Sequence, residues 1–267
     1  MQRGVFTIGD LRLSTASSGT GRPCVFLHGL CGAAGQPADL FPVDAGWRCL
    51  TLECRGHGES DYGDTTGLSI HQFAADIASF AASLDGPPPV IGGISMGAAI
   101  ALRLAVISPD MWSGLILARP AWVAEPAPAT LAAHRQIADY LAIHDSDEAR
   151  RRFEASALAR TIGEESPDNL TSLLGFFERQ PIAGTQALLA AIGNDGPGVG
   201  RDDIAALDMP TLVIGTKRDI VHPMIMAHEL ASLIPASRLV EVTSKSESPD
   251  AYRTEFRHAL HMFLKEI

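Results

Sequence analysis

The stretch Val90-Ile91-Gly92-Gly93-Ile94-Ser95-Met96-Gly97 carries the side chain whose type and setting point most directly to chemistry. An apolar run that reads as a short buried strand passes without a break into Met96 to Val106, an Ala/Leu/Ile-rich run that reads as a helix. Between them lies Gly93-x-Ser95-x-Gly97, the nucleophile elbow pattern. A serine on so tight a turn is held in a strained backbone conformation, with its hydroxyl pushed out of the sheet. Glycines two before and two after it let the turn close where a Cβ would clash. The following helix aims its N-terminal N–H groups and its dipole at the same spot, where they favour developing negative charge. A hydroxyl is a weak nucleophile alone, so this chemistry needs a base nearby.

The elements that must hold such a site follow a regular pattern. Val5 to Ile8 and Leu11 to Ser17 read as a hairpin turned at Gly9-Asp10. Cys24 to Leu27 is a buried strand ending at His28-Gly29, and Cys49 to Leu52 is another, followed by a glycine-punctuated loop through Ser60. His71 to Leu84 reads as a helix with Phe73, Ile77, Phe80 and Leu84 on one face, and Ser113 to Leu117 as the next strand. This alternation predicts an α/β fold, a mostly parallel sheet flanked by helices. From Arg119 to Asp208 the pattern changes to Pro-punctuated helical segments at Leu131 to Ile143, Asp147 to Ala159, Asn169 to Arg179 and Thr185 to Ile192. We expect residues 119–208 to form a helical cap over the strand ends, inserted into a core domain of residues 1–118 and 209–267. The core pattern resumes with the strand Thr211 to Gly215, a helix from Met224 to Leu233, the strand Arg238 to Val242 and a final helix from Asp250 to Leu264.

Composition bounds the function. The 267 residues are 46% hydrophobic and 19% charged, ordinary for a globular protein able to bury a large core. A formal charge of −10 without a basic cluster argues against nucleic-acid binding, and no apolar run is long enough to span a membrane. Met1-Gln2-Arg3-Gly4 lacks the apolar start of a signal peptide, so a cytoplasmic location is expected. Cys24, Cys31, Cys49 and Cys54 form no metal spacing and read as buried thiols. The expected partner is a small-molecule substrate, with no cofactor and no metal, and a homodimer is left open.

Together these residues resemble the α/β-hydrolase superfamily across essentially the whole chain. The matching pieces are His28-Gly29 after the third strand, Arg55-Gly56-His57-Gly58-x-Ser60 after the fourth, the Ser95 elbow, the helical insertion and Asp219 after the Thr211 to Gly215 strand. The resemblance implies Ser95 as nucleophile, the backbone N–H groups of Leu30 and Met96 as an oxyanion hole, and Asp219 as the acid that orients a catalytic histidine. Such folds place that histidine after the last strand, but here Thr243-Ser244-Lys245-Ser246-Glu247-Ser248-Pro249-Asp250 has none.

Nine histidines remain to be weighed. His28 and His57 belong to glycine-rich loops and are expected to brace loop backbone. His71, His228, His258 and His261 fall on helices away from the site, and His134 and His144 lie in the cap. His222, three residues after Asp219, is the candidate base; its alternative reading is a neighbour of a helix start, with Pro223 at the first helical position. Lys245 is the reserve base or a substrate contact. Arg119 and Trp122, after the strand that enters the cap, are expected to contact substrate, Arg119 by gripping a carboxylate or phosphate or else by anchoring the cap. The leading expectation is an enzyme acting on a small carbonyl compound (ester, lactone or C–C bond) through Ser95. The alternatives are a non-hydrolytic lyase, isomerase or cyclase of the same fold, and a ligand-binding pseudoenzyme.

Overall fold

In the computed structural model, which describes residues 1–43 and 46–267, eight strands form one sheet. They are β1 (Gln2–Ile8), β2 (Leu11–Gly19), β3 (Arg22–Leu27), β4 (Trp47–Leu52), β5 (Val90–Ile94), β6 (Gly114–Ala118), β7 (Thr211–Gly215) and β8 (Ser237–Glu241). Their order is β1-β2-β4-β3-β5-β6-β7-β8. β2 is antiparallel to both β1 and β4, and every other pairing is parallel. β5, β6 and β7 are buried throughout. A strand covered on both faces reads as a continuous apolar run rather than an alternation, which is why these three stand out in the sequence.

The helices are α1 (Gly35–Leu40), α2 (Ile70–Ala82), α3 (Met96–Ile107), α4 (Ala132–Ile143), α5 (Ser146–Glu154), α6 (Ala157–Glu165), α7 (Pro167–Leu174), α8 (Ile182–Gly193), α9 (Arg201–Ala205), α10 (Met224–Leu233) and α11 (Pro249–Glu266). α2, α3 and α10 cover one sheet face through Phe73, Ile77, Ile100, Leu104 and Leu230. α1 and α11 cover the other through Leu40, Phe256 and Leu260. α4 to α8 enclose a separate small core of residues such as Ile137, Phe153, Leu173 and Leu189. Leu30 and Ile220, from the loops after β3 and β7, pack against this third core, so these helices sit over the C-terminal ends of the strands.

Several boundaries differ from the sequence reading by a few residues, and two of the differences have identifiable reasons. The helix expected over Asp147 to Ala159 is two helices, because Ser156 accepts the Ala159 N–H at its side chain and starts α6 afresh. The segment expected over Asn169 to Arg179 begins earlier, with Pro167 in the first turn of α7, and ends in a 3₁₀ turn at Gly175–Phe177. α1 and α9 were not expected. α9 lies within residues 119–208 but packs Ile204 into the main core rather than the third one.

Candidate active site

The strand order reverses about β3, which has β4 on one side and β5 on the other, so the loops after β3 and β5 open a crevice at the strand ends. Ser95 stands there between β5 and α3 with φ of 57° and ψ of −113°. A non-glycine residue rarely adopts that conformation, and it persists only where the surroundings enforce it. A Cβ on Gly93 would lie 2.4 Å from the Gly97 carbonyl carbon, and one on Gly97 would lie 2.7 Å from the Leu27 carbonyl oxygen. The glycines are therefore required because backbone packs on backbone at both positions. The Ser95 N–H donates to the Ala118 carbonyl at 3.0 Å, tying the turn to the end of β6.

Met96 is the first residue of α3, so its N–H has no acceptor within the helix. Leu30 borders the same cavity as Ser95. The Gly29 N–H donates to Gln36 Oε1 at 2.8 Å, and His28 donates from Nδ1 to the Gly29 carbonyl at 2.8 Å. His28 Nε2 accepts the Cys54 N–H at 3.1 Å, and His57 Nδ1 donates to the Arg55 carbonyl at 2.9 Å. Both rings thus brace the loops around Ser95.

Asp219 and His222 lie on the loop between β7 and α10. The His222 ring bridges its two neighbours, with Nδ1 2.9 Å from Asp219 Oδ1 and Nε2 2.9 Å from Ser95 Oγ. A spacing of three residues suffices because the loop curls round its own carboxylate. The His222 N–H donates to the same Oδ1 at 3.0 Å, the Val221 N–H to Asn169 Oδ1 at 3.0 Å and the Ile220 N–H to Ser166 Oγ at 3.1 Å. Pro223 falls at the N-cap of α10, one residue before the position expected. The hydrogen-bond pattern assigns the tautomer: Nδ1–H donates to the carboxylate, leaving Nε2 to accept the serine hydroxyl.

Trp122 requires correction, whereas Arg119 does line the cavity. Arg119, with φ of 46°, directs Nε at 2.7 Å and Nη2 at 2.5 Å to Asp219 Oδ2. Its guanidinium therefore forms a salt bridge, the alternative expected for it, but to the acid rather than across the cap, while the residue still borders the cavity. Asp219 thus divides its oxygens, Oδ1 to the His222 loop and Oδ2 to the arginine. Trp122 is buried in the main core, donates from its indole N–H to the Asp195 carbonyl at 2.9 Å and does not line the cavity, because its ring packs into that core instead. Lys245 does line the cavity, with Nζ 5.1 Å from the centre of the Tyr252 ring.

The cavity above Ser95 has a volume of about 140 Å³. Sequence reasoning missed the wall supplied by α7 and its following turn, Asn169, Ser172, Leu173 and Phe176. Their spacing of i, i+3, i+4 and i+7 marks one helix face, and that was the available signal. His134 from α4 and Gln36 from α1 also reach the wall.

Burial alone would raise the Asp219 pKa, but Arg119 and His222 outweigh it and hold the carboxylate well below its ordinary range. Burial lowers the His222 pKa, Arg119 lowers it further and Asp219 opposes both, so the imidazole is neutral at neutral pH. Burial likewise lowers His28 and His57, and takes His134 down to about 3. Stability should depend on these four rings. Each has a folded pKa below its unfolded value near ~6.5, so its contribution is complete above that pH and is lost as pH falls below it, by up to about 1.4 kcal/mol per pH unit until the folded pKa is reached. The melting temperature is expected to drop steeply between pH 7 and pH 5; a flat profile there would contradict the buried neutral rings.

A profile of the alpha/beta hydrolase fold family matches residues 22–247. A Mycobacterium tuberculosis protein provisionally named the non-heme bromoperoxidase BpoC is 28% identical over 259 residues, covering 91% of this chain and 95% of that one. Among solved structures, an esterase from Exiguobacterium antarcticum superposes with a TM-score of 0.73 at 21% identity, covering 96% of each chain. The enol-lactonase from Burkholderia xenovorans LB400 gives a TM-score of 0.71 at 20% identity, covering 96% of this chain and 99% of its own. The sheet, the elbow and the family match together make this chain a member of the α/β-hydrolase family.

Proposed function

We propose that the chain is a cofactor-free serine hydrolase that cleaves small esters or lactones through an acyl-enzyme on Ser95. One observation carries the reading: the unbroken hydrogen-bond relay from Ser95 Oγ through His222 to Asp219, at 2.9 Å for each link. In this reading Ser95 Oγ attacks the carbonyl carbon while His222 Nε2 takes the hydroxyl proton. The Leu30 and Met96 N–H groups stabilise the oxyanion, each by about 3 kcal/mol. The imidazolium, steadied by Asp219, passes its proton to the departing alkoxide. A water then gives a proton to Nε2 and its oxygen to the acyl carbon; the bond from that carbon to Ser95 Oγ breaks, Oγ takes the proton back from Nε2, and the acid leaves. A binding protein has no use for a strained serine hydrogen-bonded to a neutral imidazole, and that weighs against a pseudoenzyme. The esterase and lactonase among the structural neighbours, and the fold they share, are consistent with this choice. The test is turnover of p-nitrophenyl acetate and simple lactones across pH. We expect kcat/KM to rise through an acid limb below the ordinary histidine pKa and to level off by neutral pH. Absence of turnover on every such substrate would sink the reading.

Arg119 is a positioning residue in this scheme. Arg119→Met leaves the Asp219 carboxylate buried without its cation, which should cost roughly 3–5 kcal/mol of stability. It also removes a charge that lowers the His222 pKa, so the acid limb of kcat/KM should move to higher pH. Arg119→Lys should recover part of both. Urea denaturation and a pH–rate profile check this, and an unmoved limb in the methionine variant would contradict the role.

A further inference from the structure

We propose that Lys245 makes one wall of the Ser95 cavity an anion subsite, so that the preferred substrates carry a carboxylate a few carbons from the scissile carbonyl. The inference rests on the serine-hydrolase reading and adds a substrate class to it. Two cations line the cavity, Arg119 and Lys245. Arg119 is already neutralised by Asp219. Among the described residues no carboxylate lies within 4.0 Å of the Lys245 ammonium, which stands 5.1 Å from the centre of the Tyr252 ring, and Lys245 also borders a neighbouring cavity lined by Asp39 and Tyr252. Asp168, Asp219 and Asp39 act on it only from farther away, and Arg119 opposes them.

Lys245 is partly buried, so its ammonium has given up part of its hydration without gaining a paired charge. An entering carboxylate supplies that pair as a charge-assisted hydrogen bond. The position is available for recognition for a structural reason. The base comes from the β7 loop, as His222, so the loop after β8 need not supply one and Lys245, which borders the cavity, is left to bind. Ser95 and Lys245 line the same cavity of about 140 Å³, so a carboxylate bound at Lys245 lies within a few carbons of the reacting carbonyl.

The test compares mono-p-nitrophenyl succinate and glutarate with the neutral p-nitrophenyl butyrate. The parent enzyme should prefer the charged esters in kcat/KM. Lys245→Met should reduce that preference at least about tenfold, chiefly through KM, as expected for loss of a charged hydrogen bond. Lys245→Arg should retain most of the preference, and Lys245→Glu should reverse it. A parent without charge preference, or a methionine variant that slows both ester types by the same factor, overturns the subsite while leaving the hydrolase reading intact. A chain that hydrolyses none of these esters, with Ser95 inert to a fluorophosphonate, overturns both.

Discussion

Ser95→Ala is expected to lower ester turnover by at least about 10⁴-fold in kcat, the scale on which serine hydrolases lose activity with their nucleophile. The fold should survive. Alanine keeps a Cβ in the same backbone conformation, so the turn is no more strained than before, and Gly93 and Gly97 still pack as they do now. The hydrogen bond from Ser95 to His222 Nε2 disappears, worth about 1 kcal/mol. Steady-state kinetics and a thermal melt on the same preparation separate the two effects. A correctly folded alanine variant that turns over its best ester at the parent rate would refute the acyl-enzyme.

His222→Ala is expected to cost at least about 100-fold in kcat, the lower end for loss of a general base. Here the acid keeps its second partner, since Arg119 still binds Asp219 Oδ2, so the variant should remain folded. The pH profile is the more discriminating readout. The parent's acid limb belongs to an imidazole whose pKa burial has lowered, and the variant should lack it. Lys245 is the competitor, because it lines the same cavity and its pKa too is drawn down by burial. A near-normal kcat in His222→Ala together with an inactive Lys245→Ala would transfer the role of base to the lysine.

Which features were legible in the sequence follows from how locally each is encoded. β5, β6 and β7 were, because burial on both faces writes a continuous apolar run into the chain. The elbow was, because two glycines at fixed spacing are needed for backbone-on-backbone contact. α1, with Gly35 and Pro37 inside six residues, was not, because packing rather than propensity makes it a helix. The partner of Arg119 was also hidden. It lies 100 residues away, on a loop that comes alongside only because β6 pairs with β7. Trp122 was misjudged for a related reason: its distance from the strand end was readable, but the packing of its ring into the main core was not. The reach of His222 to both neighbours depends on a loop held by Ser166 and Asn169, two side chains from another part of the chain.

Activation of Ser95 by His222, oriented by Asp219, is read out by reaction of the folded protein with a fluorophosphonate at neutral pH, followed by intact-mass and peptide mass spectrometry. A single adduct on Ser95 is expected in the parent, with labelling slower by at least about 100-fold in His222→Ala and none in Ser95→Ala. A folded parent that takes up no adduct, or carries it on another residue, would rule out Ser95 activation by His222.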